Sequence, residues 1–137
     1  MKKTIIVLVV IFVFAVGLFF LLPDNKKATQ ESKTAVASEQ STKGQSIASE
    51  VNAGKAVMFD VRTPAEFNAS HASIAKNFDS VLVDAGQFPQ VNKNEKIYVY
   101  CRTGHRATNV KAAMENNGFT NVVNLGGLTN MKELGLL

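Results

Sequence analysis

The chain has 137 residues, 46% of them hydrophobic and 19% charged, which suits one modest globular domain with an appendage and excludes two ordinary domains. Its formal net charge of +4 does not indicate a nucleic-acid-binding surface, because the excess of Lys and Arg forms no basic stripe. The single cysteine excludes an intramolecular disulfide, so packing must stabilise the fold.

A long apolar run follows the lysines Lys2 and Lys3 and covers residues 5–22. Eighteen residues are enough for a membrane-spanning helix and exceed the usual hydrophobic region of a cleaved signal peptide. We therefore predict that residues 1–23 are a signal anchor, with a cleaved signal peptide as the alternative. The positive-inside rule keeps both lysines in the cytoplasm and exports the rest of the chain. The domain is then expected on the outer face of the cytoplasmic membrane, or in the periplasm or extracellular space after cleavage.

Residues 24–41 consist mostly of Lys, Thr, Gln, Ser, Glu and Ala. Such a segment buries too little apolar surface to offset the loss of chain entropy, and it predicts a flexible polar tether. The folded domain is therefore expected to cover residues 42–137.

The domain is predicted to begin with a helix and a strand. Ile47 and Val51 mark a short amphipathic helix that stops at Gly54. The continuous apolar run at residues 56–59 indicates a buried strand.

The segment TPAEF, residues 63–67, has the pattern of a helix N-terminus. Thr63 suits the N-cap, Pro64 the first helical position and Glu66 the third, which together form a capping box. A short helix is predicted from Pro64.

The rest of the chain alternates strands and helices. Residues 97–100 are a further apolar run that predicts a strand, and the segment VVNL at residues 122–125 predicts another. Between them, an apolar stripe at helical spacing from Ala107 to Met114 predicts a helix of about three turns. A last short helix is expected over residues 128–134, after a Gly-Gly turn. Strands separated by helices predict an α/β fold, with an open central parallel sheet and helices on both faces.

Ligands of open parallel sheets bind at the carboxyl ends of the strands, and Asp60 and Cys101 both occupy such ends. Asp60 is a candidate functional acid, but a carboxylate here more often caps a loop or pairs with a cation such as Arg62. His71 has no second ligand-type residue nearby and is expected to be a hydrogen-bonded scaffold residue.

The segment YVYCRTGHRATN, residues 98–109, sets the only cysteine among cationic side chains. A strand that turns into a helix leaves several N–H groups without partners, and they converge with the positive end of the helix dipole on an anion site. These amides, with Arg102 and Arg106, favour the thiolate of Cys101 and make it a nucleophile. Gly104 allows the backbone to direct amides inward. The alternative is a buried, inert cysteine.

The segments at residues 59–77 and 98–127 carry a specific order of motifs, which includes Asp60-Val61-Arg62, Glu66-Phe67, the loop from Cys101 to Arg106, and Gly126-Gly127. In this order and spacing the chain resembles the single-domain rhodanese, or sulfurtransferase, family from about Ile47 to its end. The resemblance implies an α/β fold with a central parallel sheet.

The resemblance also implies a chemistry. Cys101 would accept a sulfane sulfur from thiosulfate or a polysulfide as a persulfide and pass it to a thiol or to cyanide. The implied partners are a small anionic sulfur donor and a thiol acceptor, and nothing in the sequence indicates a metal or an organic cofactor. Asp60 and Arg62 are expected to support the site, and Arg106 is also a candidate clamp between the loop and the body of the domain. The residues expected to bind substrate are Arg102, Thr103, Gly104, His105, Arg106 and Ala107.

The chain departs from the family pattern at four positions. Ala107 stands where Ser or Thr is usual, so a hydroxyl that would hydrogen-bond the thiolate or start the helix is missing. Ser70 and Ile74 replace glycines that are common around His71, and Met131 stands where a tryptophan is frequent. These departures leave the expected fold unchanged and bear on activity.

Three functions compete on this evidence. The first is an exported sulfurtransferase that turns over a small donor. The second is a tethered sulfur carrier or thiol-redox sensor with little turnover of its own, as the missing hydroxyl and an exposed, oxidisable thiol would suit. The third is a cysteine phosphatase, which is disfavoured because only four residues separate Cys101 from Arg106 and the resulting ring is poorly sized for phosphate.

Overall fold

A computed structural model describes residues 25–137 of the chain, with side-chain environments from Val36 onward. The predicted anchor or signal segment, residues 1–23, therefore lies outside the described residues. Within residues 25–137, no helix has the length and apolar character needed to cross a membrane. Val36–Leu137 form one compact unit.

The first described element is a long helix, α1, over Asn25–Asn52. It covers the stretch up to Ser41 for which the sequence predicted a flexible tether, and the predicted short helix is its C-terminal part. Lys, Gln, Glu and Ala favour the helix intrinsically, and no proline interrupts the segment, so it is helical with little to bury. Its role as the connection to residues 1–23 stays a prediction.

The C-terminal part of α1 packs tightly against the domain. Ile47 is 3% exposed, and Val51 packs against the same apolar cluster. One turn earlier, a Cβ atom on Gly44 would lie 1.7 Å from the carbonyl oxygen of Leu134, so only glycine permits this approach of α1 to the end of the chain.

A four-stranded sheet forms the centre of the domain. Its strands are β1 (Ala56–Asp60), β2 (Lys76–Asn77), β3 (Lys96–Tyr100) and β4 (Val122–Asn124), in the order β2-β1-β3-β4. All neighbours are parallel. The three predicted strands are confirmed, whereas β2 was missed because a two-residue edge strand carries no apolar periodicity.

Four further helices follow the strands. They are α2 (Pro64–Ala69), α3 (Ser80–Asp84), α4 (His105–Asn116) and α5 (Leu128–Glu133). The capping box of α2 is present as predicted, and Asn117 is the C-cap of α4. Helix α3 was not predicted, because five residues are too few to show a helical period.

The two faces of the sheet carry separate apolar cores. On β3, Ile97 and Val99 belong to one core, while Tyr98 and Tyr100 belong to the other, because successive side chains of a strand alternate between faces. The first core includes residues of α3 and α4, and the second includes residues of α1 and α5. The predicted α/β fold, with helices on both faces of a parallel sheet, is therefore confirmed.

Candidate active site

Cys101 follows β3 directly, at the carboxyl end of a central strand. Its main-chain N–H donates to the carbonyl of Gly126 at 3.1 Å, and its Sγ accepts a hydrogen bond from the N–H of Gly104 at 3.1 Å. The residue is only 1% exposed and belongs to the core between the sheet and α4. The expectation of an exposed thiol is therefore wrong, because Cys101 belongs to the same apolar core as Ala107 and Val110 of α4.

The predicted cradle of amides is smaller than expected in the described part of the chain. Of the main-chain amides, only the Gly104 N–H hydrogen bonds to the sulfur, rather than the several converging N–H groups that the sequence predicted. Gly104 is the N-cap of α4 and has a φ of 97°, in the left-handed region, which a side chain would strain. This conformation turns its N–H back toward Cys101 Sγ, as the sequence predicted for this glycine.

The turn at Gly126-Gly127 supports the cysteine loop from the neighbouring strand. Thr103 and Gly127 form an isolated antiparallel bridge, and the N–H of Leu128 donates to the carbonyl of Arg102 at 3.0 Å. The glycine pair, predicted only as a turn, is thus part of the scaffold that holds the loop.

Asn124, at the end of β4, is a site residue that the sequence analysis missed. Its Oδ1 accepts from the N–H of Gly126 at 2.7 Å, and its Nδ2 donates to Thr108 Oγ1 at 2.9 Å. Thr108 in turn donates to the carbonyl of Gly104 at 3.0 Å. The available signal was a polar side chain that interrupts an apolar strand just before two glycines.

Glu66 ties α2 to both arginines of the cysteine loop. Arg106 donates two hydrogen bonds to its carboxylate, from Nη1 to Oε2 at 2.8 Å and from Nη2 to Oε1 at 3.0 Å. Arg102 Nη2 lies 2.9 Å from Oε1 as an ion pair. The predicted clamp between the loop and the body is therefore present, and its other half is Glu66, to which the sequence assigned only a capping role.

The same carboxylate also completes the cap of α2. Oε2 of Glu66 accepts from the main-chain N–H of Thr63 at 3.1 Å. These partners, and the hydrogen bonds from Arg106 above all, lower the pKa of Glu66 to about 2. The pKa of Arg106 is raised, first by its hydrogen bonds to Glu66 and to a smaller extent by the sulfur of Cys101.

Asp60 and Arg62 form a buried ion pair at the carboxyl end of β1. They are 0% and 3% exposed. Arg62 Nε lies 2.9 Å from both carboxylate oxygens, and Nη2 lies 2.5 Å from Oδ2. Nη2 also donates to the carbonyl of Ser70 at 2.5 Å, and the hydrogen bonds that Arg62 donates to Asp60 raise the pKa of Arg62. The ion pair with Arg62 that the sequence favoured for Asp60 is therefore present. Through its hydrogen bond to Ser70, Arg62 also fixes the chain at the end of α2.

The remaining candidate site residues differ in their exposure to solvent. His71 is exposed, stacks on Phe67 with ring centroids 3.7 Å apart, and places Nδ1 2.8 Å from the carbonyl of Phe67, as a scaffold residue would. Thr103 and His105 are exposed on the loop, whereas Ala107 is fully buried in the core and presents no side chain to a ligand. No group of three metal-ligating side chains occurs within the described residues.

Comparison with known proteins identifies related sequences. A family model described as a rhodanese-like domain matches residues 44–134. The chain is 30% identical over 74 residues to "Probable adenylyltransferase/sulfurtransferase MoeZ" of Mycobacterium tuberculosis. That alignment covers 53% of this chain and only 19% of MoeZ.

Solved structures share the fold. The human single-domain sulfurtransferase TSTD1 superposes with a TM-score of 0.57 at 19% identity, covering 65% of this chain and 91% of TSTD1. The rhodanese-like domain of the Alr3790 protein from Anabaena sp. superposes with a TM-score of 0.52 at 28% identity, covering 58% of this chain and 76% of that domain.

Proposed function

The chain belongs to the rhodanese-like family, and from this premise we propose that it is a sulfurtransferase that carries a sulfane sulfur on Cys101. One observation supports the proposal above the others: the sulfur of Cys101 accepts the Gly104 N–H at 3.1 Å at the carboxyl end of β3, the edge where parallel sheets bind ligands. Two arginines that Glu66 holds are part of the same loop.

The proposed first step moves sulfur from an anionic donor, thiosulfate or a polysulfide, to the enzyme. The Cys101 thiolate attacks the outer sulfur of thiosulfate, a new S–S bond forms, and the S–S bond of the donor breaks with its electron pair leaving on sulfite. The product on the enzyme is a persulfide anion, which the Gly104 N–H stabilises as it does the thiolate. No external oxidant or reductant is required.

The proposed second step regenerates the thiolate. A thiolate acceptor, or cyanide, attacks the terminal sulfur of the persulfide, and the electrons of the broken S–S bond return to Cys101. The acceptor leaves as a persulfide or as thiocyanate. Because Cys101 is 1% exposed, we expect residues 102–105 to open when donor and acceptor enter.

The carrier function is the second candidate, and the burial of Cys101 favours it. A persulfide under a closed loop would be protected from small thiols and released only when a partner opens the loop. A thiol-redox sensor is disfavoured, because an oxidant would have to reach the buried thiol of Cys101. A carrier would load stoichiometrically and discharge to one partner without multiple turnovers.

Mass spectrometry of the intact chain tests the proposal. After incubation with thiosulfate, wild-type protein is expected to gain the mass of one sulfur atom, and the Cys101→Ser variant is expected to gain none. Cys101 is the only cysteine, so it is the only thiol that can accept the added sulfur. Absence of the added sulfur, together with no thiocyanate when cyanide is supplied, would exclude the function. Hydrolysis of a phosphate ester would instead support the phosphatase alternative.

We further propose that the domain works outside the cytoplasm and is anchored there by residues 1–23. The support is the apolar run of residues 5–22 behind Lys2 and Lys3. A protease added to intact spheroplasts should digest the anchored domain, while a cytoplasmic marker survives. Complete protection of the domain would contradict the localisation.

A further inference from the structure

Glu66 holds the two loop arginines unequally, and we infer that it is a positioning residue that keeps Arg106 fixed and releases Arg102 to a dianionic donor. The inference rests on the proposed function and names the class of donor that the site selects. It assigns Arg102 to donor binding, and Arg106 and Glu66 to holding the loop in place.

The two ion pairs differ in geometry. Arg106 makes a two-pronged hydrogen-bonded contact with the carboxylate, and 32% of its side chain is exposed. Arg102 has a single ion-pair contact, and 66% of its side chain is exposed. A bidentate, part-buried pair is held more strongly than an exposed pair with one contact. Arg102 is therefore the arginine that Glu66 can release at low cost.

The charges explain why a dianion can displace the carboxylate. Glu66 carries one negative charge and already satisfies both Arg106 and the Thr63 N–H, so it loses only its weakest partner when Arg102 leaves. A donor with two negative charges attracts the guanidinium more strongly than one carboxylate does at a similar distance. Glu66 thus competes with the donor for Arg102, and a donor with less negative charge competes poorly.

The capping box allows this competition to be separated from a structural role. Glutamine also serves at the third position of a capping box, so Glu66→Gln keeps a partner for Thr63 but removes the charge that holds the arginines. Thr63→Ala is the matched control, because it removes the side chain that caps α2, and with it one hydrogen bond to Glu66, but keeps the charge of the carboxylate that holds the arginines.

Binding is measured by calorimetry on the full chain in a Cys101→Ser background, where thiosulfate binds without reacting. At low ionic strength, Glu66→Gln is expected to lower the Kd for thiosulfate by about threefold to tenfold, and the gain should shrink at high salt. In an added Arg102→Ala background, the same substitution should give no tightening. Thr63→Ala should lower the melting temperature without changing the Kd.

Two results would overturn the inference. One is an unchanged or weaker Kd in Glu66→Gln protein whose circular dichroism shows that it is fully folded at the temperature of the binding measurement. The other is an undiminished tightening in the Arg102→Ala background, which would assign the effect to a partner other than Arg102. In turnover with the Cys101 enzyme, Glu66→Gln should lower KM without raising kcat.

Failure of the inference can be distinguished from failure of the proposed function. A chain that loads sulfur on Cys101 but shows no effect of Glu66→Gln loses only this inference. A chain that never loads sulfur, yet shows the Arg102-dependent tightening, retains the anion site and loses the sulfurtransferase proposal.

Discussion

The carboxylate of Glu66 accepts hydrogen bonds from the backbone of Thr63 and from the side chain of Arg106, which lies 40 positions after Glu66 in the chain. Its side chain is 17% exposed, so water competes little for these contacts. The sulfur of Cys101 contributes in turn to raising the pKa of Arg106. One ionised side chain therefore connects the start of α2 to the loop that carries the thiol.

This arrangement predicts a pH-dependent contribution to stability. The pKa of Glu66 is about 2 in the folded chain, below its usual value of 4.5. The ionised carboxylate therefore contributes its full stabilisation at pH values above 4.5. This contribution is lost as the pH falls from 4.5 toward about 2. Its size is on the order of 2 kcal/mol, allowing for the exposure of the arginines.

The measurement compares wild type with Glu66→Gln in urea unfolding across pH. The difference in unfolding free energy should be constant between about pH 6 and 8 and should shrink steadily in the acid range. Thr108→Ala is the control, since it removes hydrogen bonds among the neutral groups of Thr108, Gly104 and Asn124, and its difference from wild type should not change with acid. A difference between wild type and Glu66→Gln that does not change with acid would contradict the role given to the ionised carboxylate.

At the scale of elements, the contact of α1 with the end of the chain depends on the absence of a side chain. Gly44 packs against the carbonyl of Leu134, and Ile47 is buried in the core one turn later. Helix α1 can therefore lie close enough to cover one face of the sheet. Glycine within a helix costs about 1 kcal/mol relative to alanine, so its presence here is explained by the close approach.

Gly44→Ala is expected to destabilise the domain although it improves the helix propensity. The new methyl group would overlap the Leu134 carbonyl, and α1 would have to move away from the core. We expect a loss of about 1–3 kcal/mol, as for other overpacked sites. Gln45→Ala, at an exposed neighbouring position, is the control and should be neutral or slightly stabilising in the same urea titration. A stabilised Gly44→Ala protein would refute the contact.

At the scale of the whole molecule, the domain extends further toward the N-terminus than its sheet does. The strands begin at Ala56, but the compact unit begins at Val36, because the last turns of α1 cover the sheet. The family match, residues 44–134, includes this part of the helix. The domain therefore needs the end of α1 as part of its core.

Truncation tests this boundary. A fragment of residues 36–137 is expected to unfold in one cooperative transition with stability close to that of the longer chain. A fragment of residues 54–137 lacks Ile47, and removal of one such buried side chain alone costs about 2–5 kcal/mol. The shorter fragment should therefore be strongly destabilised or unfolded by circular dichroism and urea titration. Equal stability of the two fragments would show that α1 does not belong to the core.

Features that depend on residues close together in the chain could be predicted from the sequence. Apolar runs located β1, β3 and β4, since burial on both faces leaves a continuous apolar signature. The pattern from Thr63 to Glu66 fixed the cap of α2, and the glycine in the loop after Cys101 marked the turn into α4. Each of these signals is complete within a few residues.

Contacts between groups far apart in the chain became known only from the folded structure. Glu66 had an adequate local explanation in its cap, so nothing in the sequence required that it also bind Arg102 and Arg106. The contact of Asn124 with Thr108 and the burial of Cys101 likewise depend on how strands and loops pack. Local signals come from backbone sterics and capping, whereas the choice of partner for a charge depends on the three-dimensional positions of all the others.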